Sequence, residues 1–247
     1  MKEKVEGLVI DIRRHNDRSN VVTLYTRRHG CVSFVSSVSQ GRRGRMRAAT
    51  IMPLACIAAD VSFRGDRALQ TLPEVYPARL WTSLYFHPVK SALAMFTADF
   101  LNSLLRSYPP DEPLYIYLVE AVACLDALPS DRLANFHIAL LSGLLGLTGI
   151  FPRIDTWREG RLFDMAAGEY VDYPFIGVSA ERGNVLGEVE SRFIPLLARI
   201  TFDNMHHFRF SRKERERLLT LLIRYFGIHM PLWGNIKSLD ILKEIFS

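Results

Sequence analysis

Up to about residue 73 the apolar positions of the chain tend to alternate, and beyond it they recur every three or four residues. Val5 to Arg13 is rich in β-branched residues and predicts a strand. His15-Asn16-Asp17-Arg18-Ser19-Asn20 is a polar cluster and predicts a turn. Val21 to Thr26 reads as a second strand with Val22 and Leu24 on one face, closed by Arg28-His29-Gly30. Cys31 to Val38 reads as a third, with Val32, Phe34 and Val38 on one face and Ser33 and Ser37 on the other. Gln40 to Arg47 breaks the alternation and reads as a loop. Ile51 to Phe63 predicts a long fourth strand, with Pro53 near its start where proline is tolerated, and Ala68 to Leu72 a fifth. Five short antiparallel strands cannot make a wide sandwich. A small closed barrel is the expected solution, and both an OB-type and an SH3-like barrel fit the pattern.

The second part reads as helices. Pro77 and Pro88 stand where helix starts tolerate proline. Leu93, Phe96, Phe100 and Leu104 carry a helical period that runs to Tyr108 and stops at Pro109-Pro110. Leu114 to Leu128 predicts a second helix, ended by Pro129. Leu133 to Leu147 predicts a third, apolar nearly all round and therefore central. Residues 152–187 hold five glycines and two prolines and read as irregular. Glu188 to Ile200 predicts a short helix. Ser211 with Glu214 forms a capping box for a helix to about Tyr225, with Gly227 placed to end it. Ser238 caps a last helix, Leu239 to Phe246. The expected fold class is α+β in two domains. A five-stranded OB-type barrel occupies residues 1–76, and a mainly helical domain occupies residues 77–247.

Charge sharpens this division. The 247 residues contain 31 Lys and Arg against 26 Asp and Glu, a small excess. Residues 1–72 hold 13 of the basic and 6 of the acidic residues, a net of +7, which leaves 18 and 20 for the remainder, a net of −2. Positive charge confined to one domain suits a phosphate backbone as partner. Hydrophobic residues at 49% and charged residues at 23% support a packed core. Cys31, Cys56 and Cys124 are far apart and odd in number, which argues against a disulfide framework. The opening Met-Lys-Glu-Lys-Val-Glu carries acids where a secretory signal needs an apolar run, and Ile138 to Phe151 is too short to span a bilayer. A cytoplasmic protein is expected.

The sharpest local feature is Gly41-Arg42-Arg43-Gly44-Arg45-Met46-Arg47, with four arginines and no acid. Guanidinium forks suit phosphates and stack on bases, so Arg42, Arg43, Arg45 and Arg47 are expected to bind nucleic acid. Arg13, Arg14, Arg27, Arg28 and Arg64 extend the expected patch. Tyr25 and Phe34 either stack on bases or belong to the core. The run Arg209 to Arg217 alternates bases with acids and reads as a salt-bridged helix face. His206-His207 has no ligand-spaced partner, so no metal site is expected. No GxSxG, Walker, HExxH or dinucleotide-binding glycine pattern occurs, and no catalytic residue is expected. Two other functions fit less well. One is an RNA- or ribosome-associated factor using the same barrel. The other is a hydrolase using Asp155, Glu159 or His206, which form no recognisable pair.

Two stretches together resemble the bacterial RecO family of recombination mediators. The first is Gly7-Leu8-Val9-Ile10-Asp11-Ile12-Arg13 followed by Asn20-Val21-Val22-Thr23-Leu24-Tyr25-Thr26-Arg27-Arg28-His29-Gly30, a hairpin ending in Thr-x-x-x-Gly. The second is Arg224-Tyr225-Phe226-Gly227-Ile228-His229-Met230-Pro231 leading to Lys237-Ser238-Leu239. The resemblance covers nearly the whole chain in order. It implies a nucleoid-associated protein that binds single- and double-stranded DNA, anneals complementary strands and helps load recombinase. It implies RecR and single-stranded-DNA-binding protein as partners, with RecF as a further one. The helical domain is expected to hold the acidic, apolar-ended tail of the coating protein in a groove rimmed by residues such as Lys90, Arg106 and Arg132, and to add auxiliary DNA contacts. Many members carry a four-cysteine zinc site, but the matching stretch here, about Ile154 to Tyr170, has no cysteine. Packing by Trp157, Leu162, Phe163 and Tyr170 is expected in its place.

Overall fold

A computed structural model of the protein describes residues 2–38, 41–64, 68–172, 183–230, 233–234 and 236–239, and for Arg43 the backbone alone. The chain forms two compact units. One comprises the residues up to Leu128 with the stretch from Gly234, and the other runs from Pro129 to Trp233.

The first unit is a curled sheet with a helical hairpin on its outer face. Strands β1 (Glu3–Asn16), β2 (Ser19–Thr26) and β3 (Gly30–Ser37) form a meander. Helix α1 (Arg42–Thr50) leads to β4 (Cys56–Val61), and β5 (Leu69–Thr71) and β6 (Val75–Pro77) complete the sheet in the order β5-β3-β2-β1-β4-β6. The result is a partly open OB-type barrel. It differs from the expected five antiparallel strands in two ways: a sixth strand, β6, is present, and β5 runs parallel to β3.

Inside the curl, Val5, Val9, Val22, Leu24, Phe34 and Ile57 form the core. Full burial of a side chain such as Phe34 contributes about 1.5–3 kcal/mol. A register shift between Val9 and Asp11 makes Ile10 an extra residue in β1. This bulge carries the inward positions from Val9 to Ile12, so the strand keeps its core face along its length. The outer face is covered as well, which accounts for the unbroken apolar run Leu8-Val9-Ile10. Helix α2 (Pro88–Leu105) packs on β1, and α3 (Glu112–Ala127) follows it. Tyr25 Oη donates to the Asp111 carbonyl at 3.4 Å, and Tyr115 Oη donates to Glu6 Oε1 at 3.1 Å.

The loop before α2 is tied down by one carboxylate. Asp126 accepts the backbone N–H groups of Thr82, Ser83 and Leu84 at 2.8, 2.8 and 2.7 Å. Burial raises its pKa, but these bonds outweigh burial and hold it below the usual carboxylate value. Lys90 Nζ donates to the Asp126 carbonyl at 2.6 Å and to Ser83 Oγ at 2.7 Å. Lys90 is therefore a buried structural cation, and the expected groove-rim role does not fit it.

The second unit is built on α4 (Phe136–Leu147), buried on most of its surface as its composition predicts. Where residues 152–187 read as irregular, β7 (Leu162–Asp164) and β8 (Glu169–Val171) form a small hairpin. The helix expected over 188–200 is two short ones, α5 (Glu188–Ser191) and α6 (Ile194–Leu197). Helix α7 (Arg212–His229) has the expected capping box, with Glu214 N–H donating to Ser211 Oγ at 3.3 Å and Ser211 N–H to Glu214 Oε2 at 2.7 Å. It does not end at Gly227. Trp233 stacks on Phe226 there, and a Cβ on Gly227 would stand 3.1 Å from Trp233 Cδ1, so the glycine serves a close approach. Beyond Leu239 the expected last helix lies outside the described residues. Among the described residues no helix is long and apolar enough to cross a membrane.

Candidate nucleic-acid interface

The arginine-rich segment read as a loop is helix α1. Arg, Met and Ala are strong helix formers, and only Gly44 and the terminal Thr50 disfavour the state. Its N-terminal residue Gly41 (φ 101°) offers no side-chain cap, and the first turn holds no acid. The first-turn N–H groups, which have no cap among the described residues, the dipole and the arginines therefore all present positive potential at one place. Arg42, Arg45, Met46 and Ala49 share the exposed face at helical spacing. Arg47 points the other way. Its Nε donates to Ser36 Oγ at 3.0 Å and its Nη2 to the Leu72 carbonyl at 2.7 Å. Burial lowers its pKa. Arg47 thus pins α1 to the barrel.

The hairpin tip of β1 and β2 lies at the same end, because Val38 N–H donates to the Arg18 carbonyl at 2.8 Å. Arg13, Arg14 and Arg18 are exposed there. Arg13 pairs with Asp11 at 2.6 Å and Arg14 pairs with Asp17. Burial raises the Asp11 pKa against the pull of Arg13. Arg18, Arg42 and Arg45 are exposed with no ion pair among the described residues.

Arg27 and Arg28 are elsewhere. They occupy the β2–β3 turn, six residues along β2 from the tip, or roughly 20 Å at the strand rise. Thr26 and Gly30 build this turn. Thr26 Oγ1 donates to the Gly30 carbonyl at 2.9 Å and accepts His29 N–H at 3.0 Å, while Gly30 takes a left-handed φ of 62°. Arg27 is paired with Glu112, and that bond raises its pKa. His29 meets Glu3 at 3.1 Å. The turn end is therefore partly neutralised. Arg64 holds Gln70 through its backbone at 3.0 Å on both sides and exposes its side chain. Tyr25 and Phe34 are buried, so of the two readings of these rings the core one holds.

In the second unit, Asp155, Glu159 and His206 share no hydrogen bond or ion pair among the described residues. His206 packs on His207, ring centroids 3.9 Å apart. Burial of the thiols pushes Cys31 up to about 12 and Cys56 up to about 11, so both stay protonated and poorly nucleophilic. The stretch 154–170 contains no cysteine or histidine, and among the described residues no group of three His, Cys, Asp or Glu side chains could hold a metal ion. Phe163 and Tyr170 pack edge to face at 5.2 Å, and Tyr170 Oη donates to the Ser191 carbonyl at 2.6 Å. Leu162 is half-buried and Trp157 exposed, so the packing falls to the other two. On α7, Lys213, Glu216 and Arg217 form no ion pair among the described residues, contrary to the salt-bridged face expected. With Arg224 they flank an open groove of about 580 Å³ floored by Met165, Leu186 and Leu221. Sequence reasoning missed this groove because its floor comes from the hairpin region read as irregular.

The fold and site define an OB-type barrel protein with a basic end, carrying a helical hairpin, and a further, mainly helical unit. Residues 1–81 match the family model described as Recombination protein O N terminal, and residues 86–239 match Recombination protein O C terminal. The chain belongs to the recombination protein O family. It is similar to the DNA repair protein RecO of Phocaeicola vulgatus, 36% identical over 251 residues and the whole of both chains. The proteins of that name from Bacteroides fragilis and Porphyromonas gingivalis strain W83 are each 30% identical, over 100% and 97% of both chains respectively.

Proposed function

We propose that this protein is a non-catalytic DNA repair protein that binds single- and double-stranded DNA through the α1 end of its barrel. The observation that carries this reading is an acid-free helix with uncapped N-terminal N–H groups and exposed Arg42 and Arg45, next to the exposed hairpin arginines. A phosphate backbone is the partner that such a surface fits. Arg13, Arg14 and Arg18 extend it, while Arg27, Arg28 and Arg64 serve a second, weaker contact. Neutralising two backbones at one surface favours strand annealing, and help in loading recombinase on coated DNA belongs to this reading on the strength of the family. The groove beside α7 is apolar below, and on its rim Lys213, Arg217 and Arg224 outnumber Glu190 and Glu216, a balance that suits the acidic, apolar-ended tail of single-stranded-DNA-binding protein. RecR and RecF belong to this reading on the strength of the family.

Binding of equal-length DNA and RNA single strands, titrated with salt, tests it. A steep salt dependence with no preference for RNA is expected. A preference for RNA would favour an RNA-associated role.

A further inference from the structure

Between the inner side of α1 and the ends of β1, β2 and β3 lies a cleft of about 130 Å³. Ile12, Val22, Val38 and Ile51 supply apolar walls, and helix α1 contributes Gly44, Arg47 and the methyl of Ala48. Asn20, Ser36, Ser37 and Arg47 add polar groups. Arg47 spends Nε on Ser36 and Nη2 on Leu72, which leaves Nη1 without a bond among the described residues. The Asn20 amide also has no partner among them. Nearby, Val38 is 51% and Met46 62% exposed, apolar surface left in water beside arginines.

We infer that this cleft receives one unstacked nucleobase of a single strand whose phosphates lie along Arg18, Arg42 and Arg45. The inference rests on the DNA-binding reading and deepens it. A nucleobase has apolar faces and a hydrogen-bonding edge, and the cleft has apolar walls with amide, hydroxyl and guanidinium groups. Bases in a duplex are stacked and paired and cannot enter. The arginines bind any backbone, so the cleft is what separates single from double strands.

The test uses the full chain, fluorescence anisotropy, and three probes with matched phosphate number: a thymidine oligonucleotide, its abasic counterpart and a blunt duplex. Ala48→Leu narrows the cleft from an exposed position and removes no charge. It should weaken binding of the thymidine strand about tenfold, the size of one base contact, and leave the abasic strand and the duplex within about twofold. Asn20→Ala leaves the cleft open and strips a polar group; it should weaken binding in the same order, by about threefold. Equal losses on all three probes, or none for either variant, would show that no base enters. Salt-dependent binding of the abasic strand would then leave the DNA-binding reading standing, whereas failure of all three probes to bind would remove both.

Discussion

Arg42 and Arg45 on one side of α1 and Arg47 on the other should separate into phosphate-contacting and helix-anchoring roles. Replacing Arg42 and Arg45 together by alanine removes two exposed guanidinium groups with no ion pair among the described residues. For single strands each phosphate contact contributes roughly 0.7 to the slope of log affinity against log salt, so the double variant should lose about 1.4. Between about 50 and 200 mM salt the parent's affinity should therefore fall about sevenfold further than the variant's. The melting temperature should hardly move, since surface substitutions cost about 0.5 kcal/mol or less each. Arg47→Ala should do the reverse. It removes bonds to Ser36 Oγ and the Leu72 carbonyl from a half-buried site. Their loss costs about 2–3 kcal/mol, discounted from full charged-donor values for partial exposure. For a chain of this size that lowers the melting temperature by roughly 5–10 °C, with a nearly unchanged salt slope. Anisotropy titrations at four salt concentrations and a thermal melt of each variant give both numbers. An unchanged slope in the double variant, or a flattened slope with an unchanged melt in Arg47→Ala, would refute this division of roles.

Further outcomes follow from polar groups that are buried or half-buried. Burial, reinforced by Arg215, pushes His137 down to about 3, so it folds neutral while the unfolded chain takes a proton near pH 6.5. Unfolded chains then bind more protons below that value, and stability should drop by about 2 kcal/mol between pH 7 and pH 5 in urea titrations. His137→Gln should flatten that fall; an equally steep fall in the variant would place its origin elsewhere. Asp126→Ala deprives the N–H groups of Thr82, Ser83 and Leu84 of their acceptor, and because Thr82 can turn to water it should cost about 2 kcal/mol at pH 7. Because the folded pKa is depressed, that deficit is present above the unfolded value of about 3.9 and should shrink as pH falls through the folded one. Tyr170→Phe should cost about 1 kcal/mol through the lost bond to Ser191, and overnight chelation should leave the parent's melt unchanged. A chelator-dependent melt would point to metal ligands elsewhere in the chain.

The barrel was legible where burial is one-sided. Val22 and Leu24 in β2, and Val32 and Phe34 in β3, alternate with polar residues because only one face meets the core. The pattern fails where both faces are covered or neither is. Leu8-Val9-Ile10 does not alternate because α2 and α3 cover its back, and β5 and β6 are three residues each, too short to carry a period. Parallel pairing of β5 with β3 is a long-range choice made by the chain's return from β4, and nothing in Ala68 to Leu72 records it. The extended reading from Ile51 failed for a local reason. The chain turns at Leu54, which takes a left-handed φ of 60°, and Leu54 N–H donates to the Val9 carbonyl at 2.8 Å, so the ladder with β1 begins only at Cys56.

The candidate site was legible as chemistry and not as shape. Four arginines without an acid pointed to phosphates, and the two glycines flanking Arg42-Arg43 suggested a loop. Yet Arg45 to Thr50 contains only Arg, Met, Ala and Thr, and the first three favour a helix. Propensity would have found α1 where periodicity could not, because a helix lying over an open barrel end buries little and shows no apolar stripe. Shape then decides the roles of the arginines. On a flexible loop all four reach phosphates equally. On a helix pinned through Arg47, the three of these arginines whose side chains are described divide into a tether, Arg47, and an outward pair, Arg42 and Arg45, and the space beneath the helix becomes a cleft that a loop would not hold open. Under the proposed DNA-binding role, a rigid pair predicts a defined salt slope and a cleft predicts a preference among strands, so both predictions depend on the helical state of α1.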